Sequence, residues 1–194
     1  MNIARSFTHT FKDGSWFFKV FIGGLFLILS AAVIGCPFIL GYQVRHVAAV
    51  AAHDDSTLPE WKDMETLFKQ GVVLFVALAI YFAALMLLAT GAFGVHASWL
   101  VIALSLLIVS SGKPFVLIQF AERKTFLSCF RIHDMATSFL RHPLNFSAGL
   151  GISFLVTLAT VFLGWMSLIL GWPFVVFWGM VVESHIAGQL ASLS

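Results

Sequence analysis

Long apolar runs, broken at intervals by glycine, proline or a polar stretch, make up most of this chain. The first extends from about Phe17 to Ile34 and is followed by the break Gly35-Cys36-Pro37; the second then runs to about Ala52. A polar loop, His53 to Glu65, precedes a third run from about Thr66 to Thr90. The break Gly91-Ala92-Phe93-Gly94 separates it from a fourth that ends near Ser111, and Gly112 to His142 is mixed. A fifth run, about Phe146 to Leu170, is divided by Gly171-Trp172-Pro173 from a sixth that ends near Leu190. Strands of a membrane barrel would alternate apolar and polar residues, and these runs do not. A spanning helix takes about 20 residues, a length most of the runs reach, although the second is short.

The pattern predicts an all-α integral membrane protein of about six transmembrane helices, paired as three hairpins. The expected organisation is one transmembrane domain over 1–194. It comprises an interfacial helix (1–15), a first hairpin (16–52), an acidic cytoplasmic loop (53–65), a second hairpin (66–111), a cytoplasmic amphipathic stretch (112–142) and a third hairpin (143–194). In the N-terminal segment Ile3, Phe7 and Phe11 recur at helical spacing with Arg5, His9 and Lys12 between them, the form of a helix lying in the membrane interface. Phe126, Phe130 and Phe139 mix with Arg123, Lys124, Arg131 and Arg141 in the same manner, and Pro143 is expected to end that stretch. Pro114 offers another reading, a kink in a helix that continues the fourth run.

Charge fixes the orientation. With six spans, every basic residue except Arg45 lies in or beside the N-terminus, the 53–65 loop or the 112–142 stretch, which all share one side. The three glycine-containing breaks share the other side and are uncharged. Because basic residues accumulate on the cytoplasmic side, both termini are expected in the cytoplasm and the tight turns outside, in a cytoplasmic (inner) membrane. Composition agrees: 60% of residues are hydrophobic and 10% charged, against about 25% charged in soluble domains. A net charge of +2 gives no nucleic-acid footprint. Cys36 and Cys129 fall on opposite faces in this topology, so no disulfide is expected. Met1 to Ser15 is mixed polar and lacks the pattern of a cleavable signal peptide. An internal two-fold repeat is suggested by Gly35-Cys36-Pro37-Phe38 and Gly171-Trp172-Pro173-Phe174, each preceded by an amphipathic stretch and one apolar span. The competing reading is that Gly-x-Pro is a common turn.

Ser6-Phe7, Phe11, Asp13, Trp16, Lys19 and Ile22-Gly23-Gly24, then Gly41-Tyr42-x-x-Arg45, Leu58-Pro59-Glu60-Trp61-x-Asp63, Leu67-Phe68 and Gly71, stand in a recognisable order. In these residues the chain resembles the bacterial and archaeal membrane family catalogued as domain of unknown function 4013. Phe126, Phe130, Arg141-His142-Pro143 and Gly188-Gln189-Leu190 are similar but less specific. The resemblance covers most of the chain. It implies a multi-span membrane protein and supplies no reaction, ligand or catalytic residue. His46 and His53 depart from the family's usual polar residues at the end of the second segment.

Among candidate site residues, Arg45 and Glu183 are the most informative. Counted from Pro37 and Pro173, both fall roughly 12 to 15 Å from the outer turns, near mid-bilayer. A charge there should pair, either structurally between the second and sixth segments or as part of an ion path; an Arg45 on a tilted helix would instead snorkel. Thr57-Leu58-Pro59-Glu60 has the form of a capping box and is expected to start a helix leading into the third segment, with Trp61 at the headgroups. His53-Asp54-Asp55 offers three potential ligands on one short stretch, an arrangement that rarely makes a metal site, so no metal is expected. His96 and His185 are candidate contacts for a porphyrin-type pigment, although a lone membrane histidine is more often a hydrogen-bonded helix contact. No cofactor is expected, while bound lipid is. Ser184 and His185 are chain neighbours, the wrong arrangement for a nucleophile and its base. No zinc-protease, nucleophile-elbow or phosphate-loop motif appears.

These features point to a non-enzymatic scaffold or accessory subunit, partnered by the lipid bilayer and other membrane subunits, with an energy-transducing or photosynthetic complex as one conceivable host. The rival is a small transporter or channel built around an Arg45–Glu183 pair.

Overall fold

A computed structural model describes residues 3–54, 57–93, 99–166 and 168–193, and among these every regular element is helical. The helices are α1 (Ile3–Lys12), α2 (Trp16–Leu29), α3 (Gly35–Ala51), α4 (Met64–Phe93), α5 (Trp99–Arg123), α6 (Ile132–Arg141), α7 (Pro143–Met166) and α8 (Leu168–Ala191). Short 3-10 turns at Ser30–Ala32 and Phe126–Phe130 link α2 to α3 and follow α5. Stretches within α4, α5, α7 and α8 are long and apolar enough to cross a membrane. The chain is therefore an all-α protein of membrane type.

The expected helical runs are present with shifted ends. α2, with 14 residues, and α3, with 17, fall short of the 18-residue length that the four longer helices exceed. Each of the two Gly-x-Pro breaks belongs to the start of a helix. Gly35 opens α3, and the reversal before it is made at Val33, whose φ of 66° is unusual for a β-branched residue. Gly171-Trp172-Pro173 lies inside α8. Pro114 likewise lies inside α5, so the fourth apolar run continues past Ser111 to Arg123. Pro143 separates α6 from α7, as a residue that restricts its predecessor should.

The expected capping box does not start a helix. Residues 57–63 are irregular and α4 begins at Met64, where the Asp63 carboxylate accepts from the Thr66 N–H at 3.4 Å. Leu58 is instead buried in the bundle, which draws the loop inward. The Phe126–Phe130 turn is similarly held: the Tyr81 hydroxyl, in the middle of α4, donates to the Cys129 carbonyl at 2.8 Å.

Two parallel helices form the centre. Tyr42 meets Phe177, the Gln43 amide donates to the Met180 carbonyl, His46 meets Ser184, and Val50 packs on Gly188, in the same order along both chains. α3 and α8 therefore run side by side in one direction. Of the apolar stretch in α8, 67% is buried within the chain, against 11% for α4. α4 crosses α3 at close range in the opposite sense. Gly41 lies against the Leu67 carbonyl and Gly71 against the Pro37 carbonyl, and a side chain at either position would collide with backbone. Lipid offers helices no hydrophobic drive to associate, so such close backbone approach and interhelical hydrogen bonds hold the bundle.

Candidate functional site

The polar residues of the core converge on one turn of α8. Glu183, Ser184 and His185 are consecutive, and a helix turns about 100° per residue, so each faces a different neighbour. Glu183 meets the Lys113 ammonium of α5 at 2.6 Å and accepts from the Thr157 hydroxyl of α7 at 2.5 Å. Ser184 meets His46 of α3 at 3.0 Å. His185 meets Ser6 of α1 and Gln189 of its own helix, each at 3.0 Å. All three are buried.

The partner of Glu183 corrects the expected Arg45–Glu183 pair. Lys113, assigned from sequence to a cytoplasmic stretch, is carried into the core because α5 remains helical through Pro114. Arg45 points elsewhere. Its guanidinium donates to the Lys62 carbonyl at 2.7 Å and the Glu60 carbonyl at 3.3 Å, with the Asp63 carboxylate 3.9 Å away. It is a snorkelling residue that ties α3 to the loop before α4.

Three imidazoles meet beside Ser184. The rings of His9 and His185 have centroids 4.5 Å apart, His9 and His46 5.4 Å, and His46 and His185 6.0 Å, and all three residues are buried. His9 was expected on the water-facing side of an interfacial helix. The face of α1 that is actually buried carries Ser6, His9 and Thr10 and leads to Asp13 in the bend that follows, whereas Phe11 is 54% exposed. Polar docks on polar here: the hydrogen-bonding residues of α8 and α3 receive the hydrophilic side of α1, while Phe7 packs beside it against Trp178 and Phe11 is left exposed.

Ser184 Oγ lies 2.8 Å from the Met180 carbonyl and 3.0 Å from His46 Nδ1; with its proton on the carbonyl it accepts from Nδ1–H, and in the other tautomer it donates to Nδ1. Among the described residues no group of three or more His, Cys, Asp or Glu is placed to hold a metal ion. His185 Nε2 is buried within the bundle. His96 lies outside the described residues, as does Asp55 of the His53-Asp54-Asp55 run; both cysteines are free.

A second polar centre forms at the bend between α1 and α2. Asp13 accepts from the Ser15 N–H at 2.8 Å, the Ser15 hydroxyl at 2.7 Å, the Lys19 ammonium at 2.6 Å and the Leu58 N–H at 2.9 Å. Lys19 also donates to the Leu58 carbonyl at 2.6 Å, and the Trp61 indole donates to the Lys19 carbonyl at 2.9 Å. Burial pushes the Asp13 carboxyl up, but Lys19, Ser15 and the Leu58 N–H outweigh it and hold the group well below the usual carboxylate range. At the far end of the chain's polar stretch, Arg131 and Arg123 hold Asp134 below that range as well. The residues that carry the family resemblance thus meet in space: Asp13, Lys19, Leu58 and Trp61 clamp the loop, Arg45 secures it, and Gly41 and Gly71 let α3 and α4 touch. Each does structural work.

Sequence reasoning selected Arg45, Glu183 and His185 and missed Lys113, His9 and the Asp13 centre. One signal was available for Lys113: the apolar pattern resumes after Pro114 in Phe115-Val116-Leu117-Ile118. A family model described as protein of unknown function (DUF4013) matches residues 24–171. No curated protein and no solved structure matches the chain.

Proposed function

Since the chain belongs to the DUF4013 family, which brings no activity with it, we propose on physical grounds that it is a non-enzymatic membrane scaffold or accessory subunit. The observation that carries this reading is the use made of the α8 polar turn. Glu183, Ser184 and His185 are engaged by four different helices, α5, α7, α3 and α1, and serve to fasten them. A carrier needs convergent polar groups free to meet a solute; here the buried acid is neutralised by Lys113 and capped by Thr157. The apolar side chains that remain exposed, Leu87 and Leu88 on α4 and Leu155 and Phe162 on α7, supply surface for lipid or for neighbouring subunits. In the proposed topology six helices cross the inner membrane as three hairpins and both termini are cytoplasmic. The element orders α1–α2–α3 and α6–α7–α8 support the two-fold repeat, since each joins a 10-residue amphipathic helix to two apolar ones.

One observation favours a transporter. The Tyr42 hydroxyl, Gln43 Oε1, His46 Nε2, Gln119 Oε1 and Ser153 Oγ are buried polar atoms without hydrogen-bond partners, and such groups suit a hydrated path. Reconstitution decides between the two. Under the scaffold reading, purified protein in liposomes gives no ion or solute flux above empty vesicles, and protein extracted gently from its native membrane migrates with other membrane proteins. Flux that disappears in Glu183→Gln, from protein that migrates alone, overturns it.

A further inference from the structure

The bend between α1 and α2 shapes a slot on the outside of the bundle. The axes of the two helices meet at 102°, and in the angle, closed on its other side by α8, lies an apolar cavity of about 420 Å³. Its walls include Phe11, Trp16, Phe17, Phe21, Phe174 and Trp178. They are braced by ring contacts: Phe11 with Trp16 at 4.9 Å between centroids, Phe21 with Phe174 at 5.3 Å, and Phe11 with Trp178 at 6.3 Å. The bend itself is set by the buried Asp13 carboxylate and its hydrogen bonds to Ser15 and Lys19. The slot is therefore preformed, which reduces what a ligand must order on binding.

Lys12 follows Phe11 directly at the end of α1, is exposed, and has no ion-pair partner among the described residues. The only other lysine near the bend, Lys19, is already bound to Asp13 and the Leu58 carbonyl. An apolar slot with an exposed lysine following directly on one of its wall residues matches a molecule with a hydrocarbon tail and a negative head. We propose that this slot binds one acyl chain of an anionic phospholipid, with Lys12 meeting the phosphate. The site goes beyond the scaffold reading and stands whether or not the protein has other subunits.

The test uses the full chain, purified in neutral detergent and exposed to an equimolar mixture of phosphatidylglycerol and phosphatidylcholine, with bound lipid counted by native mass spectrometry. Phosphatidylglycerol is expected to be retained about fivefold over phosphatidylcholine, the contribution of one lysine near an anionic surface. Lys12→Gln should abolish that preference, while Lys124→Gln, an exposed cation on another element, should leave it. Phosphatidylglycerol with brominated tails should quench Trp16 and Trp178, read as quenching lost in Trp16→Phe and in Trp178→Phe. Equal retention of the two lipids, equal effects of the two lysine substitutions, or displacement of the bound lipid by inorganic phosphate alone overturns the proposal. A dimer that buries the slot and excludes brominated lipid overturns it as well.

Discussion

At Glu183 a carboxylate inside the bundle meets an ammonium from α5 and a hydroxyl from α7. Removing one member of such a pair strands a buried charge, which costs about 3–5 kcal/mol, whereas removing both strands none. Lys113→Ala and Glu183→Ala are each expected to lower the melting temperature in detergent, and the double variant to lose less than their sum; additive losses would mean that the two do not interact. Arg45→Ala should add independently to either, since its bonds go to the Glu60 and Lys62 carbonyls. Sequence made Glu183 legible as a charge in need of a partner but led to the wrong cation. Partner choice is decided by helix rotation and by whether a proline interrupts a helix, and neither is written in spacing alone. Asp13 supplies the pH dependence. Its folded pKa lies below the unfolded value, so its stabilising contribution is complete above about pH 4 and is lost as pH falls further. Melting temperature should therefore fall progressively as pH is lowered below about 4, and Asp13→Asn should be less stable at neutral pH with a shallower fall over that acid range.

Among the elements, the long helices were readable because their apolar runs are unbroken and each is long enough to be unambiguous. The short ones were harder. α1 looks amphipathic in the usual sense, yet Ser6, His9 and Thr10 are buried and Phe11 is exposed. Which side of an amphipathic helix turns inward depends on what it docks against, and that information lies about 180 residues away in α8. α2 and α3 reach only about 21 and 26 Å at 1.5 Å per residue, against about 30 Å of hydrocarbon, so the proposed six-span topology calls for a locally thinned bilayer around them. Cysteine placed at Val33, in the exposed turn between them, tests this. Labelling from outside intact cells is expected at Val33→Cys, Gly91→Cys and Trp172→Cys, and not at Lys62→Cys or Lys124→Cys. Protection of position 33 with labelling at 91 and 172 would make α2 and α3 a re-entrant hairpin beneath four full spans. Labelling at 62 from outside would reverse the orientation.

For the molecule as a whole, class and family were legible in the hydrophobic pattern and in the ordered motif residues, while the arrangement around α8 was not, because it joins the two ends of the chain. That arrangement governs how the protein must be made. A ribosome delivers helices in order, and α8 is the last of those described, yet it is the most buried of the four long apolar helices. Until it arrives, Lys113 is without its carboxylate, His46 without Ser184, and Ser6 of α1 without its partners. The expectation is that the earlier helices insert but stay unfinished until α8 docks. A chain stopped at residue 166 should insert and then be degraded quickly in pulse-chase labelling, and α8 supplied as a separate peptide should rescue it. Should the truncated chain persist as long as the full one, α1 to α7 would form a stable body by themselves. Rapid loss of the truncated chain would make Lys113, left without the Glu183 carboxylate, the mark by which a membrane quality-control protease tells a chain that lacks α8 from one that has it.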